Sequence, residues 1–67
     1  MIYKHISDSR KVYIMLHEVA AIDYDGKNEF DVILSGGGTI SLPAQKFHEF
    51  QAEWAAFLAK AMGEDDL

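Results

Sequence analysis

Apolar residues recur at helical spacing in the last third of the chain. Over residues 43–62 they are adjacent or three to four positions apart, so at about 100° per residue they share one arc of a helix. The arc comprises Phe47, Phe50, Trp54, Phe57, Leu58, Ala61 and Met62. Pro43 suits a first helical residue, and Gly63 suits the residue after the helix end. The pattern predicts a helix over 43–62 with this arc buried and Trp54 at its centre.

Upstream of this helix the apolar period shortens to two, which is typical of half-buried strands. The alternating stretches cover residues 1–6, 11–15, 19–24, 30–35 and 39–42. Asp25-Gly26 predicts a hairpin between two of them, and Gly36–Gly38 predicts a second turn. The spacing of Leu16, Val19 and Ile22 breaks the alternation and predicts a corner. The second and third stretches are therefore either two strands or one bent strand.

These elements predict an α+β fold in a single domain over residues 1–67. An antiparallel meander of four or five strands over 1–42 packs one face against the helix 43–62, and an acidic tail follows over 63–67. A chain of 67 residues is near the lower limit for folding without disulfides, a metal or oligomerisation. It has no cysteine, which excludes disulfides and thiolate metal sites. Helix–sheet packing, alone or with self-association, must then stabilise the fold.

Acidic residues outnumber basic ones by 11 to 6, which gives a formal net charge of −5. Because an acidic surface repels phosphate backbones and anionic lipids, we expect neither direct nucleic-acid binding nor membrane binding. No apolar run approaches the ~18 residues of a membrane span, and the first residues lack the pattern of a signal peptide. The expected location is cytoplasmic.

Patterns that would carry catalysis or bind a metal are incomplete in this sequence. His17-Glu18 and His48-Glu49 each lack the second histidine of a zinc-binding helix. No serine or threonine lies in a nucleophile elbow. Glu49 and Glu53 stand one turn apart on the solvated side of the predicted helix, where the surroundings do not prepare a carboxylate for general-acid catalysis. We therefore expect a protein that is not an enzyme and needs neither a cofactor nor a metal.

Two surfaces carry more apolar residues than a lone domain of two layers normally exposes. The first, assigned by strand parity to the sheet face opposite the helix, comprises Tyr3, Tyr13, Met15 and Ile33. The second, beside the buried arc of the helix, comprises Ala52, Ala56 and Ala59. The predicted function is a small acidic binding or regulatory module that acts through protein–protein interaction, first of all with itself. The small size and acidic charge also fit an inhibitor, for instance one made by a phage.

A small-ligand binder is the first alternative. Glycines that cradle phosphate lead into a helix, whereas Gly36, Gly37 and Gly38 lead into a predicted strand, so a flexible turn is the preferred interpretation. The alternative is that a ligand approaches the backbone closely there, because no side chain intervenes. In an oligomer this loop, with His5 and His17, would border a pocket built between subunits.

Acidic mimicry is the second alternative. Asp23, Asp25, Glu29 and Asp31 surround the predicted Asp25-Gly26 hairpin, and three more acidic residues follow at 64–66. An acidic strip of this kind can imitate a nucleic-acid backbone and occupy a basic groove on another protein. Binding of that type is strongly weakened by salt.

Overall fold

The computed structural model describes residues 1–63 of the chain. Five strands and one α-helix follow one another in this part: β1 (Ile2–Ile6), β2 (Lys11–Met15), β3 (Val19–Asp23), β4 (Glu29–Leu34), β5 (Thr39–Pro43) and α1 (Phe47–Ala61). Short 3₁₀ turns, Leu16–Glu18 and Ala44–Lys46, precede β3 and α1. The predicted α+β class is confirmed. The acidic tail predicted after Gly63 lies outside the described residues.

The strands form two antiparallel sheets rather than one continuous meander. β1 pairs with β2, and a second sheet has the order β3-β4-β5. The chain passes between the sheets at the 3₁₀ turn Leu16–Glu18, where the sequence predicts a corner. The Ser35 amide donates to the Glu18 carbonyl at 2.8 Å and ties this turn to the end of β4. A 3₁₀ turn does not return the chain alongside itself as a hairpin turn does, so β2 and β3 belong to different sheets.

Both glycine turns predicted between the later strands are present. Gly26 and Gly37 have φ angles of 85° and 97°, a region that glycine adopts without the steric cost met by other residues. In the first turn the Asp25 carboxylate accepts a hydrogen bond from the Lys27 amide at 3.1 Å. In the second the Gly37 amide donates to the Leu34 carbonyl at 2.9 Å. These turns set the antiparallel pairing of β3 with β4 and of β4 with β5.

The core lies between the two sheets and the first half of α1. Its fully buried apolar residues are Tyr3, Ile14, Leu16, Phe30, Val32, Leu42 and Phe50. The Phe50 ring on α1 is 4.9 Å from the Tyr3 ring on β1 and 5.8 Å from the Phe30 ring on β4, centroid to centroid. Phe50 therefore contacts both sheets and connects the three parts of the fold.

The helix begins later than the sequence predicts. Pro43 is the last residue of β5, with an extended ψ of 141°, and it pairs with Glu29 of β4. The next amide, that of Ala44, donates to the Asn28 carbonyl at 2.9 Å and continues the ladder. One 3₁₀ turn then separates the strand from α1. The predicted start at Pro43 is wrong because that residue belongs to β5. Gly63 follows the end of the helix as predicted, with φ of 76°.

Phe50 is the one residue of the predicted apolar arc that is fully buried. Phe50 has no exposed surface and Trp54 is half-buried, whereas 38% of Leu58 and 71% of Met62 are exposed. The predicted burial of Leu58, Ala61 and Met62 is wrong, and the arc is centred on Phe50 rather than Trp54. The sheets pack against the beginning of α1, and its last turns extend beyond them. Within residues 1–63, no helix combines the length and hydropathy that crossing a membrane requires.

Candidate functional site

The outward side of the β1–β2 hairpin is a mixed apolar and basic surface, which we call the hairpin face. It comprises Ile2, Lys4, Ile6, Lys11, Tyr13 and Met15. Strand register pairs Ile2 with Met15 and Lys4 with Tyr13. About half of each apolar side chain is solvent-exposed, from 46% for Met15 to 59% for Ile6. Several large apolar side chains therefore lie side by side in water, as on surfaces that bind a partner.

A small cavity opens beside the hairpin face. It has a volume of about 170 Å³ and lies where β2 approaches the second sheet. Tyr13 and Met15 border it on one side, and Leu34 and Ile40 border it on the other. An apolar pocket at the edge of an exposed apolar face can receive an anchoring side chain from a partner.

Charge is distributed unevenly between the hairpin and the rest of the chain. Residues 1–16 contain three basic residues, Lys4, Arg10 and Lys11, and one acidic residue, Asp8, for a formal charge of +2. Because the whole chain carries −5, residues 17–67 carry −7. Two of the three hairpin cations belong to the hairpin face. That face is thus attractive to acidic surfaces although the protein as a whole is acidic.

The outer side of the second sheet has the opposite character, and we call it the acidic sheet face. It comprises Ala21, Asp23, Asp31 and Ile33. Asp23 and Asp31 are directly opposed across β3 and β4, an arrangement in which like charges destabilise a sheet. The Ser41 hydroxyl donates to Asp31 at 2.7 Å. Among residues 1–63, the ion pairs within 4.0 Å involve other carboxylates, so a cation from outside would relieve this repulsion.

Tyr3 is not on the exposed surface to which the sequence analysis assigns it. Only 1% of it is exposed, and its ring packs edge-on against Phe50. Its hydroxyl donates to Glu49 Oε2 at 2.8 Å. Burial, and then the hydrogen bond and negative charge of Glu49, raise the pKa of Tyr3 above its usual value. β1 presents Tyr3 to the core because the tyrosine ring fills the space under α1. Ile2 and Ile6 then lie on the solvent side of the strand.

The other predicted interface residues fall into three places. Tyr13 and Met15 are exposed on the hairpin face, whereas Ile33 is half-buried on the acidic sheet face. Ala52 and Ala56 are exposed on α1, and Ala59 is half-buried. The predicted apolar surfaces are thus separate, and the hairpin face has the largest exposed side chains.

The residues predicted near a ligand do not come together. His5 is 7% exposed and lines a cleft of about 570 Å³, whose walls include neither His17 nor the Gly36–Gly38 turn. The His17 ring lies at the exposed surface, 3.3 Å from the Glu18 carboxylate. The glycines form the turn between β4 and β5. The three features do not form one site within a single chain, and the predicted pocket between subunits stays a prediction.

Sequence reasoning missed the other residues of the cleft that contains His5. Arg10, Glu29 and Lys46 line it together with His5, and they come from three segments far apart in sequence. Each occupies or borders a turn, and no spacing motif connects them. Their proximity depends on the packing of the hairpin against the second sheet, so no local signal could have revealed it.

Within residues 1–63, no three His, Cys, Asp or Glu side chains gather as a metal site would require. No protein-family model, curated protein or solved structure matches the chain.

Proposed function

We propose that this protein is a non-catalytic binding module that self-associates through the hairpin face. The observation that carries the proposal is the half-exposed set of Ile2, Ile6, Tyr13 and Met15 on one side of β1 and β2. Burying such side chains contributes about 25 cal/mol for each Å² of apolar surface removed from water. Tyr and Met are also enriched at the centres of protein interfaces.

A second copy of the chain is the occupant that charge complementarity favours. The hairpin face presents Lys4 and Lys11, and the acidic sheet face presents Asp23 and Asp31. Each face also carries apolar side chains, among them Ile33 on the acidic sheet face. If the hairpin face of one copy docks on the acidic sheet face of the next, lysines neutralise the opposed carboxylates. The contact is head-to-tail, and it closes into a ring or propagates according to its rotation.

Met15→Glu should dissociate the oligomer and leave the monomer folded. The new carboxylate lies on the hairpin face beside Ile2 and faces the acidic surface of the neighbouring copy, so we expect the association constant to fall at least tenfold. Native mass spectrometry and sedimentation velocity report the change, and circular dichroism checks the fold. Ala56→Glu is the matched control, because it adds the same charge at an exposed position on α1.

The proposal is contradicted if the wild-type chain is a monomer at high micromolar concentration. Loss of the oligomer in Ala56→Glu but not in Met15→Glu would assign the interface to the alanines of α1 instead. Raising NaCl from 50 to 500 mM should also weaken association, because salt screens exposed lysine–aspartate pairs.

A mixing experiment distinguishes head-to-tail from symmetric association. Met15→Glu disables the hairpin face and preserves the acidic sheet face, whereas Asp23→Lys does the reverse. Each variant alone should be monomeric. An equimolar mixture should form a 1:1 heterodimer that grows no further, because only one productive pair of faces remains. Two variants that stay monomeric when mixed would exclude the head-to-tail contact.

A further inference from the structure

A cleft that shares only Ile6 with the hairpin face, and no residue with the acidic sheet face, has the features of a small-molecule site. Its volume is about 570 Å³, within the usual range for ligand pockets. It lies where the end of β1 and the following turn approach the start of β4 and the 3₁₀ turn before α1. The polar side chains around it include His5, Arg10, Asn28, Glu29, Gln45 and Lys46.

Two cations among the residues that line the cleft make it suitable for an anionic group. The Arg10 guanidinium donates to the Ser41 carbonyl at 3.0 Å, which holds it in place and leaves its other N–H groups for a ligand. Lys46 approaches from the turn before α1. Neither cation takes part in an ion pair within 4.0 Å among residues 1–63. Arginine and lysine in this arrangement bind phosphate oxygens by charge-assisted hydrogen bonds.

His5 contributes a buried imidazole to the wall of the cleft. Its side chain is more than nine-tenths buried in the wall of the cleft, and its Nδ1 has no hydrogen-bond partner. An unpaired buried polar group costs about 1–3 kcal/mol. Nδ1 is closed to solvent, so a molecule in the cleft would pair with it only if the imidazole turned toward the cleft.

The remaining side chains indicate which kind of anion fits. The Glu29 carboxylate repels a bare anion but accepts hydrogen bonds from hydroxyl groups, and the amides of Asn28 and Gln45 bond hydroxyls in either direction. Ile6 and Pro43 offer an apolar wall for a carbon ring. The geometry points to a small phosphorylated sugar, with its phosphate between Arg10 and Lys46 and its hydroxyl groups toward Glu29. This site is additional to the proposed self-association and does not depend on it.

Titration of ¹⁵N-labelled protein with ribose 5-phosphate tests the assignment. Amide signals of residues around the cleft should shift with a saturable dependence on ligand, and unphosphorylated ribose should bind at least tenfold more weakly. Arg10→Gln and Lys46→Gln should each weaken binding about tenfold, because each removes a cation that contacts the phosphate. Lys60→Gln, which removes an equal charge from the far end of α1, should change the affinity less than twofold.

The outcomes distinguish specific binding in the cleft from nonspecific attraction of an anion to positive charge. Absence of shifts at 10 mM ribose 5-phosphate, or equal weakening by Lys60→Gln and Arg10→Gln, would overturn the assignment. Inorganic phosphate binding as tightly as the sugar phosphate would overturn the role given to Glu29 and the amides. Repeating the titration on Met15→Glu tests the cleft in the monomer, because Met15 does not line the cleft.

Discussion

Phe50→Ala should leave the protein largely unfolded at 25 °C. Phe50 is fully buried and its ring contacts Tyr3 of β1 and Phe30 of β4. Truncating a buried phenylalanine costs about 3–5 kcal/mol, and a domain of this size rarely has more than about 3–5 kcal/mol in total. We therefore expect loss of the far-ultraviolet circular dichroism of the native state and red-shifted fluorescence from Trp54.

Three further variants make that result interpretable. Phe50→Leu keeps most of the apolar volume and should remain folded, with a loss of about 1–1.5 kcal/mol in urea unfolding. Trp54→Ala should cost less than Phe50→Ala, about 1–3 kcal/mol, because Trp54 is only half-buried. Leu58→Ala, on the exposed end of α1, should cost less than about 1 kcal/mol. A Phe50→Ala protein with a urea midpoint near that of wild type would contradict the assignment of Phe50 as the link between the sheets.

Local sequence signals predicted the elements of this fold well. The alternation of apolar residues marks five strands, Asp25-Gly26 marks one turn, and three consecutive glycines mark another. The corner at Leu16–Glu18 can be predicted because Leu16, Val19 and Ile22 recur every three positions instead of every two. Each signal depends on conformational preferences of a few neighbouring residues, and such preferences are present in the sequence before any tertiary contact forms.

Tertiary packing decided what these signals left open. Both faces of β1 carry large side chains, so alternation alone cannot predict whether Tyr3 or Ile2 is buried. Tyr3 is buried because its ring fills the space under Phe50. Pro43 suits a helix start and a strand end equally well, and pairing with Glu29 decides for the strand. The length of the apolar arc on α1 likewise could not show that the sheets cover only its first half.

The two candidate sites differ in how far the sequence reveals them. Tyr13 and Met15 share a strand face, so their common exposure follows from alternation within one element. The complementarity of the hairpin face with Asp23 and Asp31 needs the register of β3 and β4. The cleft around His5 needs the whole tertiary structure, because Arg10 and Lys46 are separated by most of the chain.

Alkaline conditions should destabilise the protein through Tyr3. Below pH 10, the ordinary pKa of tyrosine, the phenol is neutral in the folded and unfolded states and contributes no pH dependence. Above pH 10 the unfolded chain loses this proton, whereas burial and the neighbouring Glu49 raise the folded-state pKa and keep Tyr3 protonated. The free energy of unfolding should then decrease with a slope approaching about 1.4 kcal/mol per pH unit.

Urea unfolding between pH 9 and pH 11.5 measures this effect, for which we expect a loss of about 2 kcal/mol attributable to Tyr3. Tyr3→Phe retains the ring contact with Phe50 and removes the ionisable group, so its stability should be lower near neutral pH by about 1 kcal/mol but should decline less in alkali. Tyr13→Phe, which removes an exposed phenol from the hairpin face, is the matched control and should keep the wild-type slope. If Tyr3→Phe and wild type lose stability in parallel, the alkaline sensitivity comes from other groups. A Tyr3-dependent slope would show instead that the folded protein in solution keeps this phenol buried and protonated under α1, because only such a folded state produces it.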